Sequence, residues 1–213
     1  MKNKNSKKED KSEQVSVLEF ESNGEKFRTI TLFGDLEEES VANICNGFLY
    51  LRDNCVEEVP VDPDNENPYR TQKKAPRTIE FCISTWGGDA LGMFAVYDLM
   101  RVVREKCDIE TFGIGKVMSA GILLLAAGTK GKRKIGKHTR LMFHSVRGGH
   151  YGSLHSLENE MKETRWIQEQ LTNALIFETN MTKKQLKRML NRKVDLYLNA
   201  DEAIKFGIAD IIV

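Results

Sequence analysis

The stretch Thr111-Phe112-Gly113-Ile114-Gly115-Lys116-Val117-Met118-Ser119-Ala120-Gly121-Ile122-Leu123-Leu124-Leu125-Ala126-Ala127-Gly128 decides how the chain is read. Residues 109–114 are strand-like, and 121–127 form an apolar run closed by Gly128. Ser119 stands between them. Its hydroxyl therefore falls at a strand-to-helix turn, beside the first helical N–H groups, which have no intrahelical acceptor. A second strand-like run, Arg140-Leu141-Met142-Phe143-His144, ends in a histidine. A nucleophile and a base thus reach the same edge of one predicted sheet.

Outward from this pair, strands and helices alternate, which is the pattern of an α/β protein. Residues 1–14 contain almost nothing apolar and read as a disordered polar tail. Residues 15–33 read as strand material around Asn23-Gly24, a hairpin signal. Glu37, Glu38 and Glu39 load the start of a helix, where negative charge suits the dipole. Val41, Ile44, Cys45, Phe48, Leu49 and Leu51 continue it as a one-sided stripe. All four prolines (Pro60, Pro63, Pro68, Pro76) lie in the next segment, read as an inserted surface loop at about 55–77. A strand at 78–84 runs into Trp86-Gly87-Gly88-Asp89 and then a helix through Leu91, Phe94, Tyr97, Met100 and Val103. Strands at 109–114, Lys134-Ile135 and 140–144 flank the Ser119 helix. After Gly148-Gly149 comes the longest helical pattern, at about 152–178, with Leu154, Leu157, Met161, Ile167, Leu171, Ala174 and Leu175 on its apolar side. Shorter helices follow Thr182 and open at Asp201-Glu202. Met93, Phe94, Tyr97 and Trp166 are expected in the core.

Composition narrows the function classes. The 213 residues suffice for one domain with a good-sized core. The formal net charge of +1 supplies no global field for nucleic acid or anionic membrane, so neither is an expected partner. No apolar run approaches the ~20 residues a membrane helix needs. The N-terminus has no apolar signal-peptide core, and the expected location is cytoplasmic. Cys45, Cys55, Cys82 and Cys107 show no paired metal spacing and fit a reducing compartment, with Cys45 and Cys82 expected as buried thiols. No cofactor or metal is expected. His138, His150 and His155 read as ordinary polar residues, since no ligand spacing pairs them with Asp, Glu or Cys.

A serine hydroxyl is a weak nucleophile until a base takes its proton, and a third group must orient that base. Ser119 and His144 fill the first two roles. Asp195, acidic within the apolar stretch Val194-Asp195-Leu196-Tyr197-Leu198, is chosen for the third. Asp201 resembles a helix cap and Asp210 lies almost at the last residue, which makes them weaker choices. Oxyanion charge needs bare backbone donors, and Gly87-Gly88 together with the Ala120 N–H offer them. Gly148-Gly149, just after His144, lets a peptide backbone approach as an added strand. Ser119 is not in the nucleophile elbow of α/β-hydrolases, because Val117 stands where that motif needs glycine.

Four segments in this order resemble one family. Ile83-Ser84-Thr85-Trp86-Gly87-Gly88 is similar to the Asn-Ser-Pro-Gly-Gly segment of ClpP, the proteolytic subunit of the Clp ATP-dependent protease. Gly115-Lys116-Val117-Met118-Ser119-Ala120-Gly121, with 124–133, resembles its active-serine segment. Met142-Phe143-His144 with Gly148-Gly149 resembles its histidine segment, and 195–203 with 206–210 its aspartate segment. The resemblance runs from about 34 to 213 apart from the insertion.

What it implies is a crotonase-like spiral of ββα units with a protruding handle helix. It implies a serine endopeptidase with Ser119 as nucleophile, His144 as base and Asp195 as orienter, with oxyanion donors at Gly88 and Ala120. It further implies two stacked heptamers (a tetradecamer), fed with unfolded polypeptide by an AAA+ unfoldase that uses the ATP. The chain departs from the family at Trp86, in place of proline, at Ala120, in place of methionine, and at Ser145-Val146, in place of Gln-Pro. Such departures fit a divergent phage-encoded or accessory member. Other readings are a silent ring subunit that scaffolds active paralogues, a crotonase-type acyl-CoA enzyme, and a Ser-Lys dyad peptidase using Lys116 or Lys130.

Overall fold

The computed structural model describes residues 15–22, 25–56, 58–60, 71–73, 75–149, 151–190, 192 and 194–213. The polar tail at 1–14, the Asn23-Gly24 turn, His150 and the middle of the proline-rich insertion lie outside the described residues. The fold is mixed α/β, built on parallel strands, as in ClpP and the crotonases.

Strand β1 (Val15–Ser22) pairs antiparallel with β2 (Glu25–Phe33). Helix α1 (Glu38–Asp53) follows, then two short strands, β3 (Glu58–Pro60) and β4 (Thr71–Lys73), which pair antiparallel inside the insertion. β5 (Ile79–Thr85) lies parallel between β2 and β6 (Ile109–Met118). Its residues alternate between fully and half-buried, with Ile79, Phe81, Ile83 and Thr85 on the buried face. That face takes the apolar side of α1, where Phe48 meets Phe81 edge to face at 5.3 Å. Helix α2 (Ala90–Arg104) buries Met93, Val96, Tyr97, Met100 and Val103 on the same layer. Helix α3 (Ala120–Ala126) is buried on every side, which explains a sequence apolar all round.

β6 serves two neighbours along one edge. Phe112 and Gly113 pair with β7 (Lys134–Ile135), while Lys116, Val117 and Met118 pair with β8 (Arg140–Phe143). β8 in turn pairs antiparallel with β9 (Leu196–Leu198), and β7 pairs parallel with β10 (Ile211–Ile212). Helices α4 (Leu154–Glu178), α5 (Lys183–Leu190) and α6 (Ala200–Lys205) complete the chain. In α6 the cap is Asn199, which forms a capping box with Glu202, so Asp201 is a first-turn residue and not the cap.

Two expectations about burial need correction. Cys45 and Cys82 are half-buried, whereas Cys55 and Cys107 are the buried thiols. Trp166 is 51% exposed rather than in the core. It belongs to a wider pattern: Leu154, Leu157 and Met161 are exposed as well, and burial in α4 begins only at Thr172. The first turns of α4 therefore carry an apolar side that nothing among the described residues covers.

The far end of α4 is pinned. Glu178 is buried and takes Arg104 Nη2 at 2.7 Å and Tyr97 Oη at 3.3 Å. The buried Arg133 donates through Nε to Asp210 at 2.7 Å. Burial pushes the Asp210 carboxyl up, but the Arg133 hydrogen bonds and charge, with the Gly131 N–H, hold it below its usual value on balance. A carboxyl lowered in the folded state contributes stability above its unfolded pKa, about 3.9, and loses it as pH falls through the folded one. Asp210→Asn should therefore flatten the acid limb of stability below about pH 4, measured as urea midpoint against pH. An unchanged acid limb would contradict the pairing.

Candidate active site

The turn that carries Ser119 is set by its two flanks. β6 ends at Met118, and α3 begins at Ala120, so Ser119 has one residue in which to reverse from extended to helical backbone. It does so at φ 53 and ψ −119, and it is the only non-glycine residue with positive φ among the described residues. Such a conformation costs an L-residue about 1–3 kcal/mol and is sustained by its surroundings. Here the Ser119 N–H donates to Met142 O at 2.8 Å, and Ser119 O accepts from Ile122 N at 3.1 Å. A serine before a helix ordinarily caps it with its side chain. Ser119 makes no such bond, so its Oγ is left over from the structural role.

The Gly87-Gly88 segment lies directly against it. A Cβ built on Gly87 would fall 2.7 Å from Ser119 Cβ and 3.2 Å from its Oγ. One on Gly88 would fall 2.3 Å from Leu36 O. Both glycines have φ above +100, at 106 and 141, so both space and backbone exclude other residues. Thr85 Oγ1 accepts from Gly87 N at 2.9 Å. Leu36 forms a single bridge across the loop, donating to Gly87 O at 2.7 Å and accepting from Asp89 N at 2.9 Å. This ladder uses Gly87 O and Asp89 N–H and leaves the Gly88 N–H out. The Ala120 N–H, the first of α3, likewise has no intrahelical acceptor.

Sheet register brings the other two candidates near. β8 pairs Met118 with Met142, so His144 follows one position beyond the level of Ser119. β9 pairs Leu196 with Phe143, which sets Asp195 next to His144 at the following position. The side chains, however, are not joined. His144 Nδ1 lies 2.5 Å from Ser145 O, and Asp195 Oδ1 receives Arg147 Nη2 at 2.6 Å. Among the described residues no hydrogen bond joins Ser119 to His144 or His144 to Asp195. The physical reason is local competition: a carbonyl one residue away and a nearby guanidinium each satisfy one partner. Gly148 and Gly149 are exposed, and a Cβ on Gly149 would meet nothing within 4 Å.

Arg147, Leu36 and Thr85 were not among the candidate site residues. Leu36 carries no chemical signal in the sequence, because only its backbone acts. Lys116 Nζ sits 4.8 Å over the ring of Trp86, which is 56% exposed beside the glycine pair. Lys130 is occupied by Glu178, 3.5 Å from its carboxylate. Asp201 is exposed in the first turn of α6, and Asp210 is committed to Arg133. No helix among the described residues is long and apolar enough to cross a membrane.

A strained turn that frees a serine hydroxyl against a glycine pair, with a histidine just past the neighbouring strand, is an arrangement that suits a serine peptidase. The family model of the Clp protease matches residues 69–213, a span that contains Ser119, His144 and Asp195. The chain belongs to the Clp protease family of serine peptidases.

Proposed function

We propose that the protein is an active serine endopeptidase in which Ser119, His144 and Asp195 form the proton relay. The observation that carries this reading is the Ser119 turn: a strained backbone, a hydroxyl excused from capping, and glycine backbone packed on its side chain. Strain held in place by surrounding structure is typical of functional sites.

In the reaction, rotation of the His144 side chain turns its ring from Ser145 O toward Asp195. Nδ1–H then donates to Asp195, and Nε2 accepts the Ser119 proton. Oγ attacks the peptide carbonyl, and the oxyanion takes the N–H groups of Gly88 and Ala120. His144 passes the proton to the leaving amine, and water repeats the sequence to release the acyl group. The substrate backbone lies along 148–149 as an added strand.

Residues 15–213 act as one peptidase domain, with α4 as its handle. The uncovered apolar side of Leu154, Leu157, Met161 and Trp166 supports burial against another copy, in stacked heptameric rings. Clp proteases generally form rings and work with AAA+ unfoldases. In this reading such a partner delivers unfolded polypeptide and hydrolyses the ATP, in the cytoplasm.

The separated side chains favour one alternative, a silent ring subunit assembling with active paralogues. A fluorophosphonate probe decides between them. The full-length assembled protein should be labelled at Ser119 and should cleave small fluorogenic peptides. Assembly without labelling would overturn the peptidase reading. A Ser-Lys dyad is tested in the same assay: Lys116→Met should leave labelling within about twofold, and its loss would move the base role to Lys116.

A further inference from the structure

Three consecutive residues hold the proposed base and its orienter apart. A carbonyl only accepts, so the contact at Ser145 O fixes the proton on His144 Nδ1 and spends it on main chain. Two residues on, Arg147 occupies Oδ1 of Asp195, one of the two carboxylate oxygens to which that N–H should donate. Between them, Val146 N donates to Gln168 Oε1 at 2.8 Å, which ties the segment to α4. Each contact satisfies a group that would otherwise need a partner, and those on His144 Nδ1 and Asp195 Oδ1 compete with closure of the relay.

We infer that residues 145–147 are an intramolecular clasp on the active site, in which Arg147 is the positioning residue that keeps Asp195 from His144. The inference rests on the peptidase reading above. The geometry makes the clasp shallow. Arg147 is 67% exposed and Asp195 33% exposed, so their attraction is weakened by water and salt and competes with His144 over a small free-energy gap. The glycines at 148 and 149, directly after Arg147, give the segment backbone freedom to leave. An extended peptide paired along them pulls Arg147 off the carboxylate, so that engagement of substrate and closure of the relay occur together.

The test compares second-order fluorophosphonate labelling of Ser119 in the full-length wild type, Arg147→Ala and Arg147→Lys. Arg147→Ala should label about two- to fivefold faster, the range an exposed ion pair supports. Its KM on short peptides should fall with kcat little changed, because a bound peptide has already displaced Arg147. Arg147→Lys should stay near the wild type, because it keeps the charge. Raising salt from about 0.1 to about 1 M shortens the screening length from about 10 to about 3 Å. It should accelerate the wild type and leave Arg147→Ala unmoved. Labelling of Arg147→Ala at the wild-type rate or slower, with assembly and melting unchanged, overturns the clasp while the peptidase reading stands. Absence of labelling in every variant, wild type included, removes both.

Discussion

Ser119→Gly should abolish peptide hydrolysis and at the same time raise the unfolding midpoint. Loss of the nucleophile removes the covalent route, and in serine peptidases this lowers kcat on the order of 10⁵–10⁶-fold. The residual rate reflects donors and binding alone. The stability effect has a separate origin. Ser119 is held at φ 53 and ψ −119, a region where an L-residue is strained by about 1–3 kcal/mol. Glycine tolerates that conformation but brings a backbone entropy cost of about 0.5–1 kcal/mol. The balance leaves a gain of about 0–2 kcal/mol, read as a urea midpoint at fixed protein concentration. A clear loss of stability would show that the turn is not strained. Retained hydrolysis would place the nucleophile elsewhere.

Arg133→Ala should be the most damaging single change outside the site. The side chain is 4% exposed and joins elements distant in the chain. Nη1 donates to Glu178 O and Gly207 O, both at 2.8 Å, and to Ala126 O at 3.2 Å. Nη2 reaches Asp210 Oδ1 at 2.5 Å. Truncation takes the guanidinium from Asp210, which keeps the N–H groups of Gly131 and Arg133, and from three carbonyls, of which Glu178 O keeps Lys130. Removing one partner of a buried pair costs about 3–5 kcal/mol. Arg133→Lys should recover less than half of that, since an ammonium cannot reproduce the planar fork. The measurement is urea unfolding with an unchanged slope. A loss below about 1 kcal/mol would mean that the network is replaceable by water.

How much of this was readable beforehand depended on whether side-chain chemistry or backbone geometry did the work. Alternation at 79–85 and the apolar run at 121–127 follow directly from what a buried strand and a buried helix need, so those elements were legible. Trp166 was misplaced because periodicity marks an apolar side without saying what covers it. Cys45 and Cys82 sit at the half-buried positions of otherwise apolar elements, a difference of one residue in phase. At the site, Ser119 and the glycine pair announced themselves by type and order. Arg147 did not, because a lone arginine after Ser145-Val146 reads as a solvated charge until the β8–β9 register brings Asp195 beside it.

The single bridge from Leu36 carries a lesson for anyone cutting this protein down. The family match starts at residue 69, so an excised 69–213 fragment would retain every group assigned to the reaction. It would lack Leu36, the strap across Gly87 and Asp89, and β2, the strand against which β5 is laid. Possession of the reacting groups is thus not possession of the enzyme: the fragment should be inert, its donor loop untethered.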